Sequence, residues 1–103
     1  MYSAFFIRYA DEAIDDLKEI RSYYDEINPA ITERFREELL RTEAGILANP
    51  FAYSRVPFKD FRRAVVKKFP YKVVYRTEKN IVYVFGIIHF SRSNKHIKTR
   101  LKK

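Results

Sequence analysis

Residues 61–76, FRRAVVKKFPYKVVYR, carry six basic side chains and no acidic one. Arginine and lysine at that density suit the holding of phosphate groups. They bind a phosphodiester and stabilise the added negative charge of a five-coordinate transition state. Were the phosphodiester part of RNA, its own 2′-hydroxyl would supply the nucleophile and no metal would be needed. A proton donor and acceptor would still help, and the chain offers two histidines, His89 and His96. His89 ends the apolar run IIH, three residues before Arg92. It could exchange a proton beside the basic residues, or merely satisfy backbone groups where the run ends. With no cysteine, no HExxH and no zinc spacing, a metal site is not expected. The two glycines, Gly45 and Gly86, cannot build a phosphate-cradling loop, so no cofactor is expected either.

The elements that must position these residues follow from periodicity. YSAFFIRY at the start is apolar on both parities, as in a strand that is covered on both sides or lies at a sheet edge. Ala10, Ala13, Ile14, Leu17, Ile20, Tyr24 and Ile27 then step by three and four, the spacing of one helix face. The acids Asp11, Glu12, Asp15 and Asp16 crowd its first turns, where the helix dipole favours them, and read as a solvated face. Asn28-Pro29 can end this helix and cap a second, whose stripe is Ile31, Phe35, Leu39 and Ile46 and whose stop is Asn49-Pro50. Two helices so tightly joined form an antiparallel hairpin.

RRAVVKK and YKVVYR read as strands separated by Phe69-Pro70, and IVYVFGIIHF as a third, apolar enough to lie centrally. The order is β-α-α-β-β-β, an α+β fold whose antiparallel sheet carries the helical hairpin on one face. Alternation along the strands places Tyr71, Val73 and Tyr75 toward the helices. Those tyrosines could instead stack on bases, though core packing is the commoner use. The opposite parity would present Arg63, Lys67, Lys72 and Arg76 outward, with Arg92 just past the central strand. That would be a cationic concavity. Lysines that guard an edge strand against aggregation are the plainer reading of Lys67 and Lys68. The tail at about 93–103 is basic and expected to fray; its Lys95 and Lys98 extend the candidate nucleic-acid-binding set.

The 103 residues make one domain, with 47 % hydrophobic and 17 % aromatic content to fill its core. The apolar runs are too short to span a bilayer, and the N-terminus lacks a leader pattern, so a cytoplasmic protein without membrane contact is expected. Net charge is +8 and unevenly spread. Residues 1–54 hold six Lys and Arg against eleven Asp and Glu, whereas residues 55–103 hold fifteen against two. A chain acidic in one half and basic in the other points to a polyanion or an acidic partner that meets one surface.

Several motifs in this order resemble the RelE/ParE superfamily of bacterial toxins, which includes plasmid stabilisation proteins. They are A-x-x-D-L at 13–17, YY at 23–24, NP at 28–29, RFREEL at 34–39, NPF at 49–51, RRAVVKKFPYKVVY at 62–75 and a strand ending IIHFSRSNK. The resemblance spans nearly the whole chain. It implies the toxin of a type II toxin–antitoxin module, neutralised in a hetero-oligomer by a cognate antitoxin that is acidic where it touches the toxin. It also implies one of two actions. RelE-like members cut messenger RNA on the ribosome as metal-independent endoribonucleases, inhibiting translation; ParE-like members poison DNA gyrase and need no nuclease set. For the first action, Arg63 matches a catalytic lysine, Lys72 a phosphate-stabilising arginine and Arg92 another catalytic arginine, with His89 the one nearby group for proton transfer. The sequence departs from that pattern at Val65, where a second lysine is expected, and at Lys98 or its neighbours, where a tyrosine is expected. A basic binding module without activity is the third reading.

Overall fold

The computed structural model describes residues 4–101. Strand β1 (Phe6–Tyr9) leads into helices α1 (Asp11–Ile27) and α2 (Pro29–Ala48). Three strands follow, β2 (Arg62–Val65), β3 (Tyr71–Glu78) and β4 (Ile81–His89), and then helix α3 (Asn94–Leu101). Asn28 does the double duty its position suggests. Its N–H closes α1 on the Tyr24 carbonyl, and its side chain accepts the Ala30 N–H at 3.0 Å, with Pro29 in the first turn of α2. The three-and-four spacing of Ala13, Ile20, Phe35, Leu39 and Ile46 puts all five in the core beneath the hairpin.

The strands lie in the order β1-β4-β3-β2, so the very apolar β4 is central, as expected. The β2–β3 and β3–β4 pairs are antiparallel, but β1 runs parallel to β4 and the sheet is mixed. The all-antiparallel expectation is thus corrected at β1. That strand joins no neighbour through a tight turn; its direction is set by the helices that follow it, which carry the chain across the sheet to the far edge. Strand β2 is also shorter than RRAVVKK suggests. It stops at Val65 because the chain turns at once: the Val66 N–H binds the Tyr71 carbonyl, the Phe69 N–H binds the Val66 carbonyl, and Lys68 takes a positive φ of 70°.

Tyr71, Val73 and Tyr75 face the helical hairpin, as alternation requires. Phe69 and Tyr71 each meet the ring of Phe35 edge-on, at 5.2 and 5.6 Å between centroids, and Phe69 meets Tyr24 at 5.6 Å. The Phe-Pro-Tyr turn is therefore an aromatic latch between the sheet and both helices. In β4, a bulge at Phe85 lets Val84 and Ile87 both face the hairpin while Ile88 faces away.

The second face of the sheet is not open. Ile97 and Leu101 of α3, with Val56 and Phe61 from the loop before β2, close over Val74 and Ile88 to make a second apolar core. The tail expected to fray is, over Asn94–Leu101, a docked helix. Its i, i+4 pair of aliphatics gives it a face to bury, a signal hidden among its lysines and arginines.

Candidate functional site

The basic residues expected together on one concave face are distributed over three environments. Arg63, on the edge strand β2, is exposed. Lys72, directly opposite Val65 in the β2–β3 ladder, is only 7 % exposed. Its reading as an outward cation is corrected, because α3 and the loop before β2 fill the face on which it lies. Burial, and then the charge of Arg63, hold its ammonium below the ordinary lysine range. Arg76 is pinned. Its guanidinium lies over the rings of Phe61 and Phe85, 5.8 Å from each centroid, and reaches Glu78 only at 3.9 Å. Lys67 is exposed in the turn after β2. Lys95 and Lys98 are exposed on α3, with Lys98 5.8 Å above the ring of Phe58.

Arg92 and His89 belong to a different place, a cleft of about 380 Å³ between α1, the end of β4 and α3. It brings both histidines together with Arg92, Tyr71, Asp16 and Arg100. His89 is fixed there. Its Nδ1 accepts the Ser91 N–H at 2.9 Å, so the neutral ring carries its proton on Nε2, and it stands edge-on to Tyr71 at 5.3 Å. Burial, followed by the neighbouring Tyr24, pushes the Tyr71 phenol up to about 12, so it stays protonated well into the alkaline range. Tyr75 packs in the core and donates to the Pro50 carbonyl at 2.6 Å, so neither tyrosine is a free stacking platform.

Two residues of the cleft, Asp16 and Arg100, are not among the candidate site residues read from the sequence. Asp16 is not part of a solvated face. Its Oδ2 accepts the Ile87 N–H at 2.9 Å and the Arg100 guanidinium at 2.6 Å. A signal for it existed, since Asp16 lies three residues after Ala13 and four before Ile20, on the buried stripe of α1. Arg100 had no such signal in a tail read as fraying.

Among the described residues, no group of three or more His, Cys, Asp or Glu side chains is placed to hold a metal ion. No described helix is long and apolar enough to cross a membrane. The cleft can hold and orient a small anion or polar group beside Arg92 and the Nε2 proton of His89. The β2–β3 surface offers Arg63 and the recessed Lys72. The cleft that Arg92 lines is not lined by Arg63 or Lys72.

Comparison with known proteins agrees with this architecture. No curated protein matches the chain. Among solved structures, a chain from the chromosomal ParDE toxin–antitoxin system of P. aeruginosa has the same fold. Its TM-score is 0.71 at 13 % identity, over 84 % of this chain and 96 % of that one. The family model of the ParE toxin of the type II toxin–antitoxin system parDE matches residues 7–94, so the chain belongs to the ParE toxin family.

Proposed function

We propose that this toxin arrests growth by binding a protein target, DNA gyrase in the manner its family's name suggests, and that it does not cut mRNA. One observation carries the reading: of the cations a nuclease would gather, Arg92 lines a cleft with α1 that neither Arg63 nor Lys72 lines. Lys72 is sunk in the β2–β3 ladder, Arg63 lies on the edge strand, and Arg92 lies past the end of β4 against α1. Charge stabilisation of a single five-coordinate phosphorus needs such groups converging within hydrogen-bond reach of it. A protein-binding toxin has no such requirement, and its exposed cations and apolar residues serve as contact surface. A cognate antitoxin, acidic where it lands, is the expected partner for the basic half of the chain.

The test sets two assays side by side on the purified protein. Gyrase is assayed for supercoiling and for trapped double-strand breaks, and programmed ribosomes carry end-labelled mRNA. Inhibited supercoiling or accumulated breaks with intact mRNA are expected. Discrete ribosome-dependent cuts would overturn the proposal, and harmless expression without antitoxin would leave only a binding module.

The second reading, ribosome-dependent cleavage, draws support from the fixed His89 beside Arg92. It requires that cuts vanish with Arg92→Ala and His89→Ala while Arg63→Ala and Lys72→Met retain them.

A further inference from the structure

The sheet has two edges, and they are finished differently. Outside β2, the segment 54–56 stands in for a further strand. The Arg63 N–H donates to the Ser54 carbonyl at 2.9 Å, the Val56 N–H donates to the Phe61 carbonyl at 3.0 Å, and Arg55 bridges Arg62. Outside β1 there is no such segment among the described residues. The Phe6 and Ala10 N–H groups donate to the Asn80 and Val84 carbonyls at 2.9 Å. The even-numbered residues of the strand therefore face β4, and Ile7 and Tyr9 turn their backbone groups outward. Among the described residues, nothing pairs with those groups. The devices that blunt an open edge are scarce, since β1 has no proline, no bulge and a single charge, Arg8. Phe5, Ile7 and Tyr9 pack on the core under the hairpin, which leaves Phe6 and Arg8 on the other face. Phe6 is 57 % exposed there. Arg8 is exposed beside it and, among the described residues, joins no ion pair.

We propose that β1 pairs with β1 of a second copy of this chain, antiparallel about a two-fold axis at Ile7, and so joins two four-stranded sheets into one. The strand's own residues select the register. Outward-facing residues must meet outward-facing residues, so the axis falls on Phe6, Ile7 or Arg8 if most of the strand is to pair. An axis at Arg8 sets two guanidinium groups directly opposite each other, which is unfavourable. An axis at Phe6 sets Arg8 opposite Ala4 and gives its charge no partner. An axis at Ile7 sets Ile7 opposite itself, Phe5 opposite Tyr9, and Phe6 opposite Arg8. Phe6 and Arg8 then form the non-hydrogen-bonded pair, where side chains are closest, and each exposed ring receives the other copy's guanidinium. A second copy fits this edge better than an unrelated strand does. One symmetry operation supplies an arginine for Phe6 and a phenylalanine for Arg8, as a self-complementary interface requires. The pairing does not depend on how the toxin acts on its target.

The experiment is sedimentation velocity of the full chain alone over a concentration series, with hydrogen exchange of the Ile7 and Tyr9 amides. Wild type should pass from monomer to dimer as concentration rises, and both amides should gain protection as it does. Phe6→Lys puts a like charge opposite Arg8 and should weaken the dimer roughly tenfold or more, whereas Phe6→Glu puts an opposite charge there and should keep it. Because Phe6 is exposed, circular dichroism should show both variants folded. In this cysteine-free chain, Ile7→Cys should close a disulfide with its symmetry mate, and Lys18→Cys, on the exposed side of α1, should not. Hydrogen-bonded pairs in an antiparallel ladder lie about 5.5 Å apart at Cα, within disulfide range. A monomer at every concentration, equal weakening by Phe6→Lys and Phe6→Glu, or no cross-link through Ile7→Cys would each overturn the proposal. So would protection of the Ile7 and Tyr9 amides only when another protein is added, which would give the edge to a foreign strand.

Discussion

Asp16 and Arg100, 84 residues apart in the chain, meet at 2.6 Å beside the stretch of β4 that β1 leaves unpaired. β1 pairs with β4 only as far as Val84. Beyond it, Asp16 accepts the Ile87 N–H and Arg100 reaches the Phe85 carbonyl at 3.4 Å, so two side chains stand in for the missing strand. Both side chains are 16 % exposed. Gly86 permits the crossing: a Cβ there would lie 3.3 Å from the Arg100 Cζ and 3.1 Å from Ile88. The pair fastens α3 and α1 to the same edge.

Asp16→Ala removes an acceptor from a backbone N–H and leaves a largely buried guanidinium without its closest counter-charge. A loss of about 2–3 kcal/mol in urea unfolding is expected, and Asp16→Asn, which keeps an acceptor, should lose less. A double-mutant cycle with Arg100→Met should give a coupling of about 1–3 kcal/mol. Additive losses would show that the contact contributes nothing of its own.

Lys72→Met keeps the length of the side chain and removes its charge. We expect this variant to be at least as stable as wild type at neutral pH, by up to about 1–2 kcal/mol. The pH dependence has a definite sign. The folded pKa of Lys72 lies below its unfolded value. Between those two values the unfolded chain binds the extra proton, so wild-type stability gains on Lys72→Met as pH rises toward the ordinary lysine range. A flat difference across the alkaline range would contradict this.

The phenols of Tyr71, Tyr75 and Tyr9 are all raised above the ordinary tyrosine value, first of all by burial, and that of Tyr9 further by its hydrogen bond to Glu43. Their contribution to stability is full below the unfolded pKa of about 10 and is lost as pH climbs through the folded values. Absorbance of tyrosinate should therefore show a late, cooperative step that coincides with loss of tertiary structure. Tyr71→Phe should retain more of its stability at high pH than wild type.

Phe35 joins the aromatic latch from α2, buried against Phe69 and Tyr71. Phe35→Ala should cost about 3–5 kcal/mol, enough to threaten folding of a domain this small. Asn28→Ala, which removes only the cap of α2, should cost about 1 kcal/mol. Thermal unfolding of the two variants would reveal the difference, and comparable losses would argue against the latch.

Local periodicity determined the elements. The three-and-four spacing of Ala13, Ile20, Phe35 and Leu39 gave two amphipathic helices, Asn28-Pro29 gave the corner, and the apolar run from Ile81 to His89 gave a central strand. Such signals lie within a few residues and survive in any tertiary context. Alternation also placed Tyr71, Val73 and Tyr75 correctly beneath the hairpin. What lies over the opposite face is a different kind of fact. Whether Lys72 meets water or a second core depends on where α3 and the loop before β2 come to rest, and that is decided by Ile97, Leu101, Val56 and Phe61 meeting Val74 and Ile88 across the sheet. Whether Asp16 is solvated depends on an arginine 84 residues away. The basic residues were legible one by one. Their separation into a recessed lysine, a pinned arginine and a cleft against α1 belongs to tertiary structure alone, because burial is a property of what a side chain is packed against and not of its neighbours in sequence.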